Sequence, residues 1–120
     1  MRRILVFVGL LGFLAAVLSA ADVSGKWKGS FDAAGNMQDI VFNLKADGAT
    51  LTGSVSGVPQ DPQIKDGKIQ GDKVTFWFMT EYQGNPIKLI CSGQLSGDEI
   101  HFTMGLDDGN WSTEFVVKRS

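Results

Sequence analysis

Gly67-Lys68-Ile69-Gln70-Gly71-Asp72-Lys73-Val74-Thr75-Phe76 and Gly93-Gln94-Leu95-Ser96-Gly97-Asp98-Glu99-Ile100-His101-Phe102 share one pattern, G-x-[IL]-x-G-D-x-[IV]-x-F, at an offset of 26 residues. Apolar residues recur at every second position on both sides of the Gly-Asp pair, which is the period of a strand. Each copy therefore reads as the end of one strand, a tight turn and the start of the next. The glycine supplies positive φ, and the aspartate can bond the backbone two residues on. A looser third copy, Leu44 to Leu51, carries Asp47-Gly48 at its centre. A Gly-Asp pair also occurs in phosphate and metal loops, but the alternation on both flanks assigns these to hairpins. A repeating unit only two strands long points to hairpins around a barrel and not to a solenoid.

Outward from this repeat, the same alternation defines eight runs: Lys26–Ala33, Gln38–Ala46, Thr50–Ser56, Gln63–Gln70, Lys73–Tyr82, Ile87–Leu95, Glu99–Met104 and Trp111–Lys118. The fourth is interrupted by Asp66-Gly67, which predicts a bulge or bend. No helical period is sustained for three turns after residue 21. Runs two and three, four and five, and six and seven are joined by tight turns. The other links, 34–37, 57–62, 83–86 and 105–110, are looser. In an up-and-down meander alternate links share an end, so the tight turns form one end and the looser links the other. Eight strands in so short a chain leave two edges to hide, and closure removes both. The expected fold is all-β, an eight-stranded antiparallel up-and-down β-barrel preceded by a signal-peptide helix.

The leader is residues 1–21. Arg2 and Arg3 precede an apolar run of 15 residues, Ile4 to Leu18, and Ser19-Ala20-Ala21 offers small side chains before Asp22. This is the anatomy of a secretory signal peptide, and the run is short of the roughly 20 residues of a membrane span. The expectation is a secreted or periplasmic protein, cleaved near Ala21, whose single domain is 22–120 and which keeps no stable membrane span. Losing Arg2 and Arg3 takes the formal net charge from −2 to −4. Such a chain has no basic excess to draw it to nucleic acid. One cysteine, Cys91, excludes an internal disulfide. One cysteine and one histidine do not make a metal site of the usual type, and no cofactor is expected.

Gly25-Lys26-Trp27 opens the first run and Val117-Lys118-Arg119 closes the last. This resembles the calycin superfamily of lipocalins, fatty-acid-binding proteins and avidins, which often carry G-x-W on the first strand and a basic residue near the end of the last. The resemblance implies a barrel in which Arg119 packs over the Trp27 ring, with Gly25, Trp27 and Arg119 as structural residues. Asp22 to Trp27 and Thr50 to Val55 look like the start of an avidin. The loop that would bond a biotin ureido group is here 33–37, where only Asn36 is suitably polar, so biotin binding does not carry over. The chain also lacks the flanking helix and framework disulfide of a usual lipocalin.

No catalytic constellation is legible. His101 alternates with Ile100 and Phe102 and points outward, and Cys91 lies on the apolar face as an inert thiol. Asp107-Asp108-Gly109-Asn110 lacks the spacing of a calcium loop and reads as a turn. Trp77, Met79, Ile90 and Val116 are out of phase with the core and form an apolar outer stripe that admits homo-oligomer formation. Any pocket is expected to be shallow, at the loop-rich mouth above a solid tight-turn half. Its expected residues are Phe31, Asn36, Tyr82, Met104, Asp107, Asp108 and Trp111. The acidic mouth favours neutral or cationic partners. The expected function is non-enzymatic binding of a small apolar or amphipathic molecule at this mouth. A rival expectation is a protein-interaction or protease-inhibitor module for an extracytoplasmic partner. A void above about 300 Å³ favours the first, a filled barrel with a flat rim the second. Intact-mass analysis of protein purified from its native host is expected to give a chain beginning at or beside Asp22, and a mass that retains Met1 would refute the cleavage.

Overall fold

A computed structural model describes residues 23–120. The leader read at 1–21 and its junction at Asp22 lie outside the described residues. The strands are β1 (Gly25–Ala33), β2 (Asn36–Asp47), β3 (Thr50–Ser56), β4 (Lys65–Gln70), β5 (Lys73–Tyr82), β6 (Asn85–Ser96), β7 (Glu99–Leu106) and β8 (Ser112–Arg119). Each pairs antiparallel with the next, and β8 returns to β1 to close the barrel. The meander, the strand count and the closure expected from the sequence are all present.

The two kinds of turn follow from glycine placement. At one end, Gly48, Gly71 and Gly97 each stand first in a two-residue link, with φ of 63°, 62° and 63°. Positive φ at the first central residue is the type II′ requirement. At the other end, two links expected to be loose are equally short. Ala34-Gly35 joins β1 to β2 and Gln83-Gly84 joins β5 to β6, with positive φ at all four residues, as type I′ demands. The longer links there are 57–64 and 107–111. The mouth is thus half hairpin and half loop. Its hairpins place Ala34 and Gln83 in the left-handed region, which disfavours residues with a Cβ.

The seams are unequal. β5 and β6 pair along ten residues, whereas β1 and β8 pair only at Trp27↔Arg119, Lys28↔Lys118 and Gly29↔Val117. At Gly29 the strands come so close that a methyl group would collide with the Val116 carbonyl oxygen and lie 2.9 Å from Val117 Cγ1. Between β3 and β4 the pairs are Thr50↔Lys68 and Leu51↔Gly67. Nearer the mouth this second seam is continued by the link itself: Val55 N–H donates to Pro62 O (2.8 Å) and Ile64 N–H to Gly53 O (3.0 Å). The expected irregularity at Asp66-Gly67 is a bulge, with Asp66 at φ 51°. Trp77 Nε1–H donates to Asp66 Oδ2 at 2.7 Å and pins it from outside.

The interior follows the two-residue period. Phe42, Phe76, Phe102 and Phe115 form a knot at the waist, with neighbouring ring centroids 4.9–6.3 Å apart. Below it Trp27 is fully buried. Its Nε1–H donates to Val23 O at 2.9 Å, and the Arg119 guanidinium lies 4.2 Å from the ring centroid. Arg119 also donates to Ser24 O (3.0 Å). The solid tight-turn half and the Trp27–Arg119 contact are as expected, and Val23 is a further buried residue that alternation did not indicate.

Trp27→Ala is expected to cost about 3–5 kcal/mol, read from urea unfolding, and a loss under about 1 kcal/mol would contradict the place of the ring in the core. Ala34→Asn is expected to raise stability by about 0.5–1 kcal/mol, because asparagine tolerates the left-handed region better than alanine. An unchanged or lowered unfolding midpoint would count against strain at this turn.

Candidate functional site

The seams that lose direct pairing toward the mouth leave room above the waist. A cavity of about 670 Å³ opens there. Its apolar wall comes from strand ends in the inward phase: Phe31 from β1, Ile87 and Leu89 from β6, and Leu106 from β7. Trp111, at the foot of β8, adds a half-buried ring that meets Phe31 edge-on, with centroids 6.4 Å apart at 65°. Ala33 and Ala34 complete the β1 side. The cavity reaches down to Leu89, which is buried, so it is deeper than the shallow pocket expected from the sequence.

The link 57–64 completes the wall between β3 and β5. Val58 and Pro59 face the cavity, and Val58 is buried. Three hydrogen bonds tie this strap to β2 and β5. Gln38 Nε2–H donates to Gly57 O (2.6 Å), Thr80 Oγ1–H donates to Pro59 O (2.9 Å), and Gln60 Nε2–H donates to Glu81 Oε2 (2.6 Å). Gln60 and Asp61 adopt φ of 75° and 41°, so the strap turns sharply where it meets β5. Thr80 is only 4% exposed, and its bond to Pro59 satisfies a hydroxyl that would otherwise be buried unpaired. Asn36, Gln38, Glu81, Tyr82 and Gln83 supply the polar rim.

Four of the residues expected at a site, Phe31, Asn36, Tyr82 and Trp111, line this cavity together. Met104 does not. It is fully buried one pleat below, because β7 runs on to Leu106, which takes the lining position. Asp107 and Asp108 stand outside the wall. Asp108 is engaged in building its own turn: Oδ1 accepts from Asn110 N–H (2.9 Å) and Oδ2 from Asn110 Nδ2–H (3.1 Å). Alternation carried the signal for Ile87, Leu89 and Leu106. Val58 and Pro59 have no periodicity and were not legible.

Two groups outside the site have structural surroundings. Cys91 is fully buried at the barrel centre, and burial pushes its thiol far above the usual range, so it stays protonated. His101 lies on the outer face, 3.3 Å from Glu99, which Lys118 also approaches at 3.5 Å. Among the apolar outer residues, Met79, Ile90 and Val116 are exposed, and Trp77 is partly covered by Lys88, whose Nζ lies 4.3 Å from its ring centroid.

No protein-family model and no curated protein sequence matches the chain. Among solved structures, it is similar to the crystal structure of a secretary abundant heat soluble (SAHS) protein from Ramazzottius varieornatus. The identity is 15% and the TM-score 0.46, over 82% of this chain and 96% of that one.

Proposed function

We propose that the protein is an exported, calycin-like, non-enzymatic binding protein that takes a small apolar or amphipathic molecule into the mouth cavity. The observation that carries this reading is the cavity itself: about 670 Å³ of space above a packed aromatic floor, walled by Phe31, Ile87, Leu89, Leu106 and Trp111. That volume lies within the range of small-molecule sites and above the level at which a filled, partner-plugging barrel becomes the better description. Apolar side chains at this height would gain little from facing water, whereas an apolar guest covers them at about 25 cal/mol per Å². The leader supports export.

A protein partner at the rim is the second reading. Met37 and Tyr82 are the observation in its favour, at 70% and 51% exposure beside the two mouth hairpins. The two readings separate experimentally. The neutral apolar fluorophore N-phenyl-1-naphthylamine is expected to bind the intact barrel. Trp111→Ala is expected to weaken that binding by about 2 kcal/mol, roughly thirtyfold in Kd, with the fold intact by circular dichroism. Gly97→Ala, at the closed end, is expected to lower stability and leave the affinity unchanged. Undiminished binding by the Trp111 variant would remove the cavity as the site.

A further inference from the structure

The mouth of the barrel carries an excess of carboxylates. Asp32, Asp39, Asp61, Glu81, Asp107 and Asp108 stand around the mouth. Lys65, at the start of β4, and Lys88, on β6, are the cations toward this end among the described residues, and Lys88 is turned outward over Trp77. The closed end is mixed: Lys26, Lys45, Lys68, Lys73, Lys118 and Arg119 stand around its turns together with Asp47, Asp72, Asp98 and Glu99. The cavity wall repeats the bias of the mouth, since Glu81 is its single charged side chain and no described lysine or arginine lines it. A guest with a carboxylate head would enter against the field of the mouth. It would also find no cation to offset the loss of its water.

Glu81 is placed to do the opposite for a cation. It lies at the rim, partly buried, one residue above buried Thr80. Oε2 accepts a neutral amide hydrogen bond from Gln60. A carboxylate has about four acceptor sites, so capacity for an ammonium donor remains. A bond charged on both sides is stronger than the amide bond already there. The aromatic faces of Tyr82 and Trp111 at the same opening add a second attraction specific to cations. Below the rim, the wall from Ile87 to Leu89 and Phe31 suits an aliphatic chain.

Resting on the proposed binding function, we infer that the guest is a cationic amphiphile: an alkyl chain in the cavity with an amine or quaternary ammonium head at Glu81. The closing experiment uses isothermal titration calorimetry with decylamine, decanol and decanoate at pH 7 and low salt. The expected order is amine tightest, alcohol next, carboxylate weakest, with the amine favoured over the alcohol by about five- to tenfold, as for a partly exposed ion pair. Raising the salt should narrow that gap. Glu81→Gln keeps an oxygen for Gln60 and removes the charge. It should bring decylamine to the affinity that decanol shows for the same variant, with the fold intact by circular dichroism. Decanoate binding as tightly as decylamine, or an amine preference that survives Glu81→Gln, would overturn the inference while leaving the apolar site standing. Failure of all three chains to bind would overturn the binding function itself, and this inference with it.

Discussion

The meeting of β1 and β8 is the constraint on which the rest depends. A sheet of eight strands with two free edges would expose two rows of unpaired backbone groups, and closing it removes both. Here the closure is only three residue pairs long and lies toward the tight-turn end. It is possible because Gly29 lets the strands approach within a distance no side chain would allow. Arg119 then lies across Trp27 and bonds Ser24 O, so the same few residues join first strand to last and seal the floor. The aromatic knot of the waist can pack only because this join holds the circumference fixed.

A short closure has a second effect, which is to divide the barrel by height. Where β1 and β8 pair directly, at the floor, the interior is filled. Where their pairing lapses, Phe31, Phe115 and Trp111 stand in the gap, and the space they do not fill is the cavity. The β3–β4 seam behaves alike, with the strap 57–64 replacing regular pairing. The strained left-handed residues Ala34, Gln60 and Gln83 gather at this same end. Strain of this kind persists where surrounding structure over-determines it, and it is commonly found near working surfaces.

The sequence was most legible where one physical rule acted alone. Alternation placed Trp27, Phe42, Phe76, Phe102 and Cys91 inside and His101 outside, because a pleated strand leaves no other choice. The Gly-Asp repeat located two tight turns, because positive φ at Gly71 and Gly97 is what the hairpins need. The mouth depends on more than one rule, and there the reading was partial. Ending β7 at Met104 gave the right face and the wrong height. The length of Ala34-Gly35 and Gln83-Gly84 was misjudged because neither begins with the Asn, Asp or Gly that marks such turns. Inward residues alone do not say whether a barrel is hollow. That is set by where two seams stop pairing and by Val58 and Pro59, which no period announces.

Both ends of the described chain leave from the floor. Val23 lies beneath Trp27, and Ser120 N–H donates to Lys26 O at 2.9 Å. β1, nine residues long, separates this point from the mouth by roughly 20 Å or more once strand tilt is allowed for. A carrier domain, an affinity handle or a solid support joined directly at Val23 or Ser120 would therefore sit on the side away from the opening. Such a barrel stands like a cup on its base: it can be tethered from below and still be filled from above.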